Sequence, residues 1–118
     1  FEWEHFVMAG DPANESSDTR GTVKGDAFGS PDGLMIDARG LLWIQTDASA
    51  SKIGRGDYAR LGHNQMLCAD PASGEVRRFL TGPAGCEITG ALMAPDARTL
   101  FVNVQHPGEG AASDWPDG

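Results

Sequence analysis

Glu87 stands in the run Gly85-Cys86-Glu87-Ile88-Thr89-Gly90, an acid at the mouth of an apolar strand. Gln105-His106-Pro107-Gly108 puts polar groups where a second strand-like run, Thr99 to Val104, stops. Asp32 occupies Ser30-Pro31-Asp32-Gly33, just ahead of Leu34-Met35-Ile36, and Asp47 closes the run Leu41 to Thr46. Acids and imidazoles at the ends of strands can converge on a metal ion, and rigid sheets commonly carry their sites at such ends. Each residue also has a plain structural role open to it. Pro-Asp-Gly is ordinary turn chemistry, because Pro fixes φ and Asp bonds back to nearby N–H groups. Glu87 can cap a turn, Asp47 can be a surface acid, and His106 before Pro107 can be a structural histidine.

The elements that must position these residues form a repeat. Leu34-Met35-Ile36, Asp37-Ala38-Arg39-Gly40 and Leu41-Leu42-Trp43-Ile44-Gln45 make strand, turn and strand. Ile88 to Met93, Pro95-Asp96-Ala97-Arg98 and Thr99 to Val104 do the same. Superposing the two Asp-Ala-Arg tripeptides gives an offset of 59. Gln65 to Asp70 and Glu75 to Leu80, joined by Pro71-Ala72-Ser73-Gly74, supply two more strands between the copies. Four strands per repeat at roughly 40–50 residues mark a β-propeller blade. The expected fold is therefore all-β: antiparallel four-stranded meanders, about one and a half blades of a propeller. One blade consists of Leu34–Ile36, Leu41–Thr46, Gln65–Asp70 and Val76–Leu80, and Ile88–Met93 and Thr99–Val104 start the next. Trp43 and Phe101 are expected in the core.

Phe1 to Met8 mixes acids with Trp3, Phe6 and Val7, which suits an outer, half-exposed strand. Two stretches read as loops. Residues 13–29 are polar and Gly-rich and are expected to be mobile. Residues 48–64 carry Lys52, Arg55 and Arg60. These either decorate a solvated loop or form a lid that offers positive charge to an anionic substrate. A helical turn or two is allowed only near Asp57 to Leu61.

The 118 residues include 17 acids against nine Lys and Arg, for a net charge of −8. That balance argues against nucleic-acid binding, which needs clustered bases, and fits solubility or cation binding. No apolar run is long enough to cross a bilayer as a helix. Cys68 and Cys86 do not define a disulfide framework and are expected to be free and partly buried, with metal ligation by Cys86 as the alternative. The chain opens on Phe and stops at Trp115-Pro116-Asp117-Gly118, so residues 1–118 are read as a piece of one longer propeller domain. On that reading nothing about compartment follows from the lack of a leader.

FVMAGDP, SPDGLMIDARGLLWIQTD, GEVRRFLTGPAGCEITGALMAPDARTLFVNVQHPGEG and the closing WPDG resemble the C-terminal half of the PhoX-type bacterial alkaline phosphatases. The likeness covers most of the chain and is weakest at residues 13–25 and 49–62. Its most specific pieces are G-C-E-I-T-G and L-F-V-N-V-Q-H-P-G-E. It implies a six-bladed propeller, a phosphomonoesterase activity on phosphate esters, calcium and iron as cofactors, and export to the periplasm. It implies Glu87 as a metal ligand and matches Asp32 to the family's P-D-N/G element, with Gly33 where Asn is frequent. It also places further acids, a Cys and the phosphate-holding bases outside this stretch, so the piece alone is expected to be inactive. The text Pro31 to Trp43 is similar to calcium-dependent lactonases of the gluconolactonase type as well, and a non-catalytic propeller segment is the third reading. Open strand edges on such a piece would invite self-association.

Overall fold

The computed structural model describes residues 1–109 and 113–116; Gly110 and the Asp117-Gly118 end of WPDG lie outside them. The described strands are β1 (Lys24–Gly25), β2 (Pro31–Ile36), β3 (Leu42–Thr46), β4 (Gln65–Asp70), β5 (Glu75–Thr81), β6 (Glu87–Met93) and β7 (Leu100–Gln105). The one helical element described is a single 3-10 turn, Gly56–Tyr58, which overlaps the start of the segment Asp57 to Leu61 where a short turn was allowed. β2 to β5 form an antiparallel meander, and β6 and β7 form a separate hairpin. This is the expected meander with the next hairpin packed on its face, the layout of one and a half propeller blades.

Alternation along the strands builds two cores, because successive side chains point to opposite faces of a sheet. On one face Ile44, Leu67, Ala69 and Val76 pack with Val23 and Phe28. On the other, Trp43 and Met66 meet Cys86 and Ile88, with Met35, Met93, Leu100, Val102 and Val104 around them. This second core holds hairpin to meander. Ile88 is fully buried in it, which stabilises the contact by about 1.5–3 kcal/mol.

Two expectations fail at the N-terminal side. Phe1–Met8 is not a strand. It has no ladder partner among the described residues and is held at its end, where the Met8 N–H donates to Thr22 Oγ1 and the Thr22 N–H to the Met8 carbonyl. Residues 13–29 are not merely a polar loop. They supply β1, which adds to β5 in parallel as a fifth strand, and they place Val23 and Phe28 in the core. The apolar residues there are too sparse for a period to show.

The offset of 59 is corrected as well. In the first hairpin Ile36 pairs with Leu42, and the Asp37 N–H donates to the Leu41 carbonyl, leaving Ala38-Arg39-Gly40 as the connection. In the second, Met93 pairs with Leu100, and the Ala94 N–H donates to the Thr99 carbonyl, leaving Pro95-Asp96-Ala97-Arg98. Asp37 therefore corresponds to Ala94, while Asp96 sits out in the turn. In the same register Trp43 corresponds to Phe101. Trp43 is buried as expected; Phe101 is 60% exposed, because no described residue covers the face of β6–β7 on which it stands.

Candidate metal centre

The start of β6, the end of β7, the end of β3 and the start of β4 all lie at one end of the two packed sheets. Two turns there bring three ligand-bearing side chains together. Glu87 is the first residue of β6. His106 follows the last residue of β7 with a positive φ of 49°, and the Glu109 N–H donates back to its carbonyl at 3.0 Å. The Gly108 N–H donates to the Ala84 carbonyl at 2.9 Å, which ties this turn to the one before β6. As a result one ligand atom each from Glu87, His106 and Glu109 lie within 4.8 Å of one another.

Gly85 is what lets the two turns touch. It has φ +70°, and a Cβ there would lie 2.4 Å from the Glu109 carbonyl oxygen. A side chain at this position is excluded by backbone, not by a side chain that could swing away, so the glycine in G-C-E answers a close approach.

Glu87 and Glu109 border a cavity of about 340 Å³ whose other walls include Asp47, Ala48, Ser49, Ile53 and Asn64, and His106 stands beside them outside that lining. Its charged lining is Asp47, Glu87 and Glu109, all acidic, which suits a cation. Asn64 is buried and uses its whole amide: Oδ1 accepts from Thr46 Oγ1 and the Ala48 N–H, and Nδ2 donates to the carbonyls of Ala48 and Cys86.

Sequence reasoning placed some of this. Glu87 is in the cluster, and His106 joins it, against its plainer reading as a structural histidine. Glu109 was missed. The only cue was its spacing of three from His106 across Pro-Gly, which is a tight turn and so brings both ends to one place. Asp32 is exposed at the same end of the meander, at the bulged start of β2, and is not a member of the cluster. Gly33 beside it is packed under Gln45: a Cβ there would come 2.4 Å from Gln45 Oε1, so the Asn frequent at this point would need Gln45 to move. Cys68 and Cys86 are free, as expected. Cys86 is buried in the second core and not a member of the cluster, and burial pushes its thiol up, away from the thiolate a metal needs.

The basic lid is not present in the expected form. Residues 48–64 do wall the cavity, but with Ala48, Ser49, Ala50 and Ile53 rather than their bases. Arg60 is turned away into an ion pair with Asp11 at 2.5 Å. The Ala13 N–H and then Arg60 hold that carboxyl below its ordinary range, overcoming the opposing effect of desolvation. Lys52 lies 5.9 Å over the Tyr58 ring.

The family model described as Alkaline phosphatase PhoX matches residues 1–108. No curated protein matches the chain. Among solved structures it is similar to Pseudomonas fluorescens PhoX in complex with vanadate, a transition-state analogue, at 49% identity and a TM-score of 0.83. That similarity covers 94% of this chain and 20% of the other, so the chain spans about one fifth of that protein's length. With the two-sheet architecture, the acid-lined end and a family match over nearly every residue, the chain belongs to the PhoX family of alkaline phosphatases.

Proposed function

We propose that this chain is one segment of a propeller domain that hydrolyses phosphomonoesters with bound metal, and that its part is to supply ligands from the β6–β7 end. The observation that carries this is the Glu87–His106–Glu109 cluster beside an acidic cavity, in a chain of this family. The relative's vanadate complex, a transition-state analogue, supports phosphoryl transfer as the chemistry. Family membership favours this over the lactonase reading.

The donor set bears on which metal. Calcium takes six to eight oxygens, whereas imidazole suits iron and its neighbours. Two carboxylates and an imidazole fit iron better than calcium, and calcium fits all-oxygen positions elsewhere in the same domain. Bound metal would neutralise charge on a phosphoryl group. The chain's own residues do the holding: Glu87 and Glu109 bring negative charge, His106 a directional nitrogen, and Gly85 the fit between their turns. Asp32, at the same end, is a second candidate ligand that would act only with groups from the rest of the protein. Phosphate-binding bases are absent from the cavity lining described, so they too belong to the rest of the domain. The chain alone is therefore expected to be inactive. Export to the periplasm is part of the same proposal.

The test is Glu87→Gln in the whole protein. The substitution keeps shape and removes a ligand charge. Phosphomonoesterase activity and metal content should fall at least 10–100-fold, the range seen even for residues one step removed from a metal, while the melting temperature holds. Full activity and full metal content in that variant would make Glu87 a turn acid and end the assignment.

A further inference from the structure

We infer that Asn64 is a positioning residue for the Glu87 ligand, which it acts on through the Cys86 carbonyl; this rests on the metal-site reading above. Asn64 is only 3% exposed, yet it comes from the end of a long loop and carries no charge. Its amide has two donors and two acceptor positions, and all four are used. Oδ1 takes Thr46 Oγ1 at 3.1 Å and the Ala48 N–H at 2.6 Å. Nδ2 gives to the Ala48 carbonyl at 2.9 Å and the Cys86 carbonyl at 2.8 Å. Its own backbone carbonyl accepts the Gly82 N–H at 2.8 Å.

These bonds join three separate pieces. Thr46 ends β3, and Ala48 just beyond it stands in the wall of the cavity. Gly82 and Cys86 bracket the turn that delivers Glu87. Asn64 itself immediately precedes β4. Among the described residues no strand ladder links meander to hairpin: β6 pairs with β7 and meets the meander through side chains. Apolar packing is non-directional and tolerates small slides, whereas an amide with fixed donors sets distance and angle. The bond to the Cys86 carbonyl lies one residue from Glu87, so the amide fixes where that carboxylate stands against Glu109 and the cavity wall. With no lone pair or N–H left over, Asn64 has nothing to offer a metal directly.

The test compares Asn64→Leu with Thr46→Val in the whole protein, stripped of metal. Both delete buried hydrogen bonds at the same junction, but Thr46→Val leaves the Asn64–Cys86 bond intact. Two readouts are taken well below each melting point: manganese(II) affinity by calorimetry and amide hydrogen exchange at Cys86, Glu87 and Ile88. Asn64→Leu should weaken manganese binding about 10–100-fold, as losses one step from a metal do, and speed exchange at those amides. Thr46→Val should lower the melting temperature and leave both readouts unchanged. If Asn64→Leu does not fold, Asn64→Ser replaces it, being too short to reach Cys86. Equal losses in the two variants, or an Asn64 variant that binds and exchanges like the unmodified protein, would overturn the assignment. If the unmodified whole protein takes up no manganese, the metal reading fails separately, and exchange at Cys86 to Ile88 still decides the positioning role.

Discussion

The β2–β3 and β6–β7 hairpins carry nearly the same text, and they use it differently. Asp37 ends its strand inside the structure. Its Oδ1 accepts the N–H groups of Arg39 and Leu41 at 2.9 and 3.1 Å. Its Oδ2 accepts the Arg39 guanidinium at 2.8 Å and Trp43 Nε1 at 3.2 Å. Asp96, in the same tripeptide, is exposed, and the one side-chain bond described for it is from the Arg98 N–H at 3.0 Å. One residue of extra turn accounts for the difference. The longer connection moves Asp96 off the strand end, Ala94 takes the buried register, and Phe101 stands where Trp43 would supply an indole N–H. A short motif repeated in sequence thus repeats in structure only if the turn length is kept.

The largest effect should come from breaking the Asp37 hub. Burial alone would raise the Asp37 pKa, but the Arg39 and Trp43 side chains and the Leu41 and Arg39 N–H groups overcome it and hold the carboxyl at about 2 against an ordinary 3.8. A pKa depressed in the folded state means stability that is present above 3.8 and lost as pH falls toward 2. Asp37→Ala should give the deepest fall in melting temperature of the variants described here and remove that acid-side loss. Asp96→Ala should change stability by no more than about 0.5 kcal/mol, as surface substitutions do. Thermal melts of both from pH 2 to 7 check this; equal effects would erase the contrast between the turns.

A smaller effect separates the turn residues themselves. Gly40 has φ +83° with open space around it, while Ala97 holds φ +54° with a side chain. Gly40→Ala should therefore cost about 1–2 kcal/mol from backbone strain alone. Ala97→Gly should be neutral or stabilising by less than about 1 kcal/mol, since relief of strain is offset by a looser unfolded chain. Denaturant midpoints of the two variants read the signs directly, and a stabilising Gly40→Ala would contradict the turn geometry.

The smallest effect on stability falls on the outer face of the second hairpin. Leu92 and Phe101 pair across it and are 66% and 60% exposed, whereas Met35 and Trp43 in the same register are covered by β6 and β7. Leu92→Lys with Phe101→Lys should leave the melting temperature almost unchanged. It should also abolish any concentration-dependent association of the chain seen by sedimentation, because a bare apolar sheet face next to a free edge favours pairing with another sheet. Association that survives both substitutions would move the contact to another surface.

The strands of both hairpins and of the meander were legible in the sequence, because period-two apolar runs bounded by Gly, Pro and Asp depend only on neighbours. Glu87 was legible for the same reason: a charge at the start of such a run stands out. Tertiary structure alone decided the rest. Asp37 and Asp96 look alike until a ladder fixes which one ends a strand. Val23 and Phe28 lie in a polar stretch and became core only because β1 found an edge of β5 to join. His106 and Glu109 meet Glu87 because a positive φ, a Pro-Gly turn and the bare backbone of Gly85 fold two connections onto each other. Asn64 reads as one more polar loop residue, and its place at the junction depends on partners 16, 18 and 22 residues away in the chain. Local propensity is written in adjacent residues; closure between distant turns is set by packing and hydrogen-bond geometry that no short window contains.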